Sequence, residues 1–127
     1  MTVALWCVLI AFLLPYLCIA IAKIGGKFRL ADNHDPRDFL ETLEGAPRRA
    51  YAAQLNSFEI SPFFAAAVIV AHLAGNAELV TINVLAVLFI TSRLLYIICY
   101  LADWAILRSL VWFVGVGLVL SFFFVSV

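Results

Sequence analysis

RAYAAQLNSFEISPFF, residues 49–64, opens a long apolar helix yet sets Asn56 and Glu59 well inside it. A carboxylate at the centre of a membrane span costs roughly 2.5–3.5 kcal/mol on insertion scales, so such a residue is a functional candidate by default. Positions 49, 52, 56 and 59 fall on one helical stripe. It reads Arg49, Ala52, Asn56, Glu59, and Pro62 one turn on frees a backbone carbonyl and can bend the helix. A second stripe has the same spacing: Arg93, Tyr96, Tyr100, Asp103. Two polar stripes on separate apolar helices imply a site between helices rather than a soluble core.

Composition sets the class. Of 127 residues, 66% are hydrophobic and only 13% charged, about half the usual quarter. Mean hydropathy is +1.12. A soluble domain of this length could not cover so much apolar surface, which predicts an all-α integral membrane protein. The zero net charge is uninformative, because the charges cluster. Cys7, Cys18 and Cys99 all lie in apolar runs with no CxxC pairing, and read as small buried or lipid-facing hydrophobes.

Four spans are expected, at about 3–22, 47–73, 78–101 and 105–127, forming one bundle and a single domain. The first lacks charge over about twenty residues, enough to cross the hydrocarbon core. No Lys or Arg precedes it, and it is too long for the apolar part of a signal peptide. Pro15 can kink it where neighbours re-satisfy the freed carbonyl. Residues 23–46 form the only extended polar segment. There Gly25-Gly26 break the helix and Asp35-Pro36 mark a turn that could start a short helix. Pro47 suits the first turn of the second span. Gly75-Asn76 make a tight turn, and Asp103-Trp104 mark the next interface.

Lys23, Lys27, Arg29, Arg37, Arg48 and Arg49 flank the first loop and Arg108 lies beside the third, while the second loop has no basic residue. The positive-inside rule therefore places the first and third loops in the cytoplasm and both termini outside. At 1.5 Å per residue, Glu59 and Arg93 lie roughly 18 and 14 Å from that side, close enough in depth for the two stripes to pair. A pair that only fixes helix register is the competing reading.

The pattern R-x-x-x-x-Q-x-N-x-x-E-x-x-P from Arg49 to Pro62, then R-L-x-Y-x-x-x-Y from Arg93 to Tyr100 and Arg108-Ser109, resembles the MAPEG superfamily, the membrane-associated proteins in eicosanoid and glutathione metabolism. The likeness spans nearly the whole chain. Residues 32–37, Leu55 to Glu59 and Leu101 to Trp104 look particularly like its bacterial branch, which implies a bacterial inner membrane.

The resemblance implies a homotrimer with glutathione held between helices of adjacent subunits. By position, Arg49, Gln54, Asn56, Glu59, Arg93, Tyr96 and Tyr100 would line the glutathione pocket. Arg108 would be the catalytic arginine that stabilises the thiolate. Glu59 could hold the glutathione ammonium, arginines its carboxylates, and phenols and amides its peptide groups. The chain departs from the pattern at Ala52, where relatives often carry a further arginine that Arg49 or Lys27 would have to replace. Arg108 is also slightly offset from the catalytic arginine of some relatives; an interfacial, headgroup-contacting role is the other reading.

The function expected is a glutathione transferase or peroxidase acting on a hydrophobic electrophile delivered by membrane lipids. The alternatives are a non-catalytic member that binds a lipid or other amphiphile, and an ion pathway through Glu59 and Arg93. The near-absence of polar residues in the outer halves, apart from His72, Thr81 and Asn83, argues against the pathway. No nucleic-acid partner is expected, and no metal, since His34 beside Asp32 and Asp35 has no second histidine near it.

Overall fold

A computed structural model describes residues 1–127 as wholly helical, with no strand. Helix α1 spans Val3–Gly25, α2 Pro36–Glu41, α3 Gly45–Ala74, α4 Leu79–Leu101 and α5 Ala105–Phe124, with a 3-10 turn at Leu30–His34. Four of them, α1, α3, α4 and α5, are long and apolar enough to cross a membrane. The 30 residues of α3 reach about 45 Å, beyond the roughly 30 Å of a hydrocarbon core. Its first turns, with Arg48 and Arg49, therefore project towards the loops.

The sequence explains most element ends. Helix α1 continues to Gly25, three residues past the expected end, and stops where the first loop folds back on it. A Cβ on Gly26 would collide with Leu43 and lie 3.0 Å from both the Ala22 carbonyl and the Phe39 ring. Asp35 caps α2, its Oδ1 accepting from the Asp38 N–H at 3.1 Å, and Pro36 supplies the first helical residue. Gly75, at φ +71°, ends α3 in the left-handed conformation. Helix α5 stops at Phe124, three residues short of expectation.

Helices α1 and α4 pack on α3, and α5 packs on α4 and α3 from the other side. Lipid offers no hydrophobic drive for helix association, so small residues that admit close backbone approach matter here. Ala4, Cys7, Ala11, Cys18 and Ala22 of α1 are buried, as are Ala50, Ala53, Ala67 and Ala71 of α3. All three cysteines are free and buried. Phe64 of α3 stacks on Phe89 of α4 at 4.0 Å, and Phe122 of α5 meets Phe64 edge-on at 5.9 Å.

Most polar groups inside the bundle have partners. Pro15 lacks an N–H, so the Ala11 carbonyl has no helical donor; the Ser61 hydroxyl lies 3.3 Å from it while also facing the Ser57 carbonyl at 2.7 Å. At the end that carries both termini, His72 Nδ1 meets the Val68 carbonyl at 2.8 Å and Nε2 meets Thr2 Oγ1 at 2.9 Å. Asn83 Oδ1 accepts from the Ala4 N–H at 2.9 Å. Two of the three polar residues in the outer halves are thus spent on tying helix ends together.

Candidate functional site

The two polar stripes meet between α3 and α4, near the loop end of the bundle. Arg93 is 2% exposed. Its Nη2 donates to Asn56 Oδ1 at 2.8 Å and lies 3.5 Å from Ser57 Oγ. Asn56 Nδ2 in turn donates to Glu59 Oε2 at 3.3 Å. The depth match between Glu59 and Arg93 therefore does not produce a direct ion pair; the amide of Asn56 stands between them. The reason is angular: Arg93 is packed inside the bundle, whereas Glu59 sits on the exposed side of α3. The single salt bridge in the structure joins Arg48 to Glu41 at 3.7 Å, outside this region.

The guanidinium of Arg93 lies over the Tyr96 ring at 4.1 Å, and Tyr96 meets Tyr100 edge-on at 5.5 Å. From the first turn of α5, the guanidinium of Arg108 covers the Tyr100 ring at 4.4 Å. The chain gets from α4 to α5 in three residues, with Asp103 at φ +60° and Trp104 immediately before the first turn of α5. That tight reversal brings Arg108 back over the last turn of α4. Cation, ring, ring and cation thus run in sequence from the interior of the bundle to the polar end of α5.

Two cavities share Asn56 and Trp112 as walls. The polar one, about 230 Å³, is bounded by Tyr96, Tyr100, Arg108 and Ser109. The apolar one, about 390 Å³, runs between α3 and α5 from Glu59 past Phe63 and Val116 to Leu120 and Phe123. Phe63, Leu120 and Phe123 are exposed, so the slot opens on the apolar surface of the bundle. Trp112 was not singled out from the sequence. Its position four residues after Arg108 was the available signal, since that spacing puts both on one face.

Gln54 and Arg49 fall elsewhere. Gln54 is two positions from Asn56, about 200° round the helix. It lines a third cavity, about 440 Å³, with Lys23 of α1, Arg37 of α2, and Tyr51, Leu55 and Phe58 of α3. Arg49 Nη2 donates to the Leu101 carbonyl at 3.2 Å, where α4 ends, and its Nε is buried without a partner. Arg49 and Arg93 line none of these three cavities.

The electrostatic character follows. Arg93 and Arg108 have no carboxylate within ion-pair distance, and Glu59 has no cation within it. Glu59 is exposed and Arg108 half-buried beside the two cavities, and unpaired charges of both signs there favour a zwitterionic or anionic partner. No cluster of His, Cys, Asp or Glu could hold a metal ion.

Fold and site together define an integral membrane bundle of four helices with a charged pocket at one end and an apolar slot leading from it. The chain belongs to the MAPEG family, whose model matches residues 3–127, essentially its full length. That family includes glutathione transferases and related membrane proteins. No curated protein and no solved structure matches the chain.

Proposed function

We propose that this protein binds glutathione at the Asn56–Glu59–Tyr100–Arg108 pocket and uses its thiolate against apolar electrophiles entering through the α3–α5 slot. The observation that carries the reading is the charge set at the polar end of the slot: the Arg108 guanidinium without a carboxylate and the Glu59 carboxylate without a cation. Glutathione brings complementary groups, two carboxylates and an ammonium. Glu59 takes the ammonium, Tyr96 and Tyr100 the peptide groups, and Arg108 faces the sulfur. In the reaction the thiol proton goes to solvent, the thiolate sulfur forms a bond to the electrophilic carbon, and the leaving group departs with the bonding pair. Equilibrium binding of glutathione to the purified protein tests the reading.

A homotrimer completes the site. Gln54, Lys23 and Arg37 face away from Asn56 and Glu59 within one chain, on the opposite side of α3. One ligand can reach both faces only where the Gln54 groove of one subunit lies against the Glu59 face of the next. Exposed Leu55 and Phe58 on that side of α3 suit such contact.

The basic residues at the loop end support an orientation with the pocket mouth in the cytoplasm, where glutathione is supplied. In intact cells, with the native cysteines removed, Asn76→Cys is expected to react with a membrane-impermeant maleimide and Asp38→Cys to stay unlabelled. The reverse pattern would place the mouth outside.

The ion-pathway reading loses its support, since His72 and Asn83 are occupied at helix ends. A non-catalytic binder of amphiphiles would use the same slot and would have no need of Arg108, so Arg108→Ala separates the two.

A further inference from the structure

Arg93 is the most deeply placed charge in the chain, yet a ligand in either cavity of the site would meet Asn56 first. The residue is 2% exposed, and neither of those cavities includes it in its walls. What it touches is Asn56 Oδ1 at 2.8 Å, the Ser57 hydroxyl and the face of Tyr96. An amide is asymmetric: only its oxygen can accept from a guanidinium, and only its NH₂ can donate to a carboxylate. With Arg93 behind it and Glu59 in front, Asn56 has one workable orientation, and its Nδ2 reaches Glu59 Oε2 at 3.3 Å.

We infer that Arg93 is a positioning residue acting through Asn56: it orients the amide, and the amide holds the Glu59 carboxylate at the mouth of the slot. This role rests on the glutathione reading of the pocket. Arg93 is then not a carboxylate clamp, and its removal acts on the affinity for glutathione through Glu59. The thiolate step, which belongs to Arg108 on α5, is left largely intact. Tyr96 is the second group Arg93 touches, and its ring is also packed edge-on against Tyr100.

A double-mutant cycle separates this from a direct contact. Arg93→Met and Asn56→Leu are each expected to raise the dissociation constant for glutathione about tenfold, the loss of one charge-assisted hydrogen bond. The double variant should bind no worse than either, and turnover at saturating glutathione should change less than about threefold in Arg93→Met. Arg93→Lys keeps the charge and one donor and is expected to restore part of the affinity.

Asn56→Asp covers the case in which Arg93→Met does not fold. It leaves Arg93 an acceptor but replaces the donor facing Glu59 with a second carboxylate. It is expected to keep the melting temperature of the wild type while losing glutathione affinity. Additive effects in the cycle, turnover that falls with unchanged affinity, or wild-type affinity in Asn56→Asp would each overturn the role. A wild-type protein that binds no glutathione overturns the reading of the pocket and this role with it; one that binds while these variants bind normally overturns the role alone.

Discussion

Arg108→Ala is expected to reduce conjugation of a model aryl halide by about 10²–10³-fold, the range found when one donor aimed at a developing anion is removed. Glutathione affinity should fall less than about tenfold, one charge-assisted contact among several. A free thiol has a pKa near 8.5, so little thiolate exists at neutral pH, and the thiolate is the nucleophile. A guanidinium stays protonated throughout, and about 1.4 kcal/mol of differential interaction lowers a thiol pKa by one unit. Arg108 stands at the start of α5, where unpaired N–H groups add favourable potential for an anion. Its guanidinium lies over Tyr100, 4.4 Å from the ring centre, which sets its place against the polar cavity. The ultraviolet absorbance of bound glutathione thiolate reports this directly and should vanish in the variant. Unchanged turnover and an unchanged thiolate signal would leave Arg108 as a headgroup anchor and the site as one that binds without catalysing.

Two inactive variants are expected to regenerate activity when co-expressed. Arg108→Ala damages the α3–α5 side of the proposed site, and Gln54→Leu with Arg37→Glu damages the groove on the opposite side of α3. If each site takes one side from each of two neighbours, random mixing in equal amounts leaves about a quarter of the sites with both sides intact. Activity of the mixture should therefore return to about a quarter of wild type, against a background near zero for either variant alone. If every site is built within one subunit, no mixture recovers anything. Separate purification followed by mixing in detergent controls for new synthesis of wild-type chains by recombination.

The fold was open to reading because membrane helices are specified by length and apolar composition, both present in the chain. The four spans and the Gly26, Asp35 and Gly75 boundaries follow from those rules and from turn chemistry. The meeting of the Arg93 and Asn56 stripes was foreshadowed by depth alone. Depth does not resolve angle, however. It could not show that Glu59 faces out of the bundle while Arg93 is sealed inside it, nor that Asn56 bridges the two. Arg49 is a similar case. Its place on the stripe suggested a ligand contact, but the Leu101 carbonyl, an orphan acceptor at the end of α4, lies 3.2 Å away and takes its Nη2. Trp112 escaped notice because, on an apolar helix, a tryptophan four residues from an arginine looks like any other lipid-facing aromatic.

Glutathione titrated against thermal unfolding of the purified protein in detergent tests the central claim most directly. A ligand that binds only the folded state stabilises it by about 2.7 kcal/mol at one hundred times its dissociation constant. For a chain of this size that corresponds to a rise of several degrees in melting temperature. A saturable rise is expected that is lost in Glu59→Gln and retained in Arg108→Ala. A melting temperature that stays flat up to about 10 mM glutathione, in a sample that is folded and oligomeric, would contradict it.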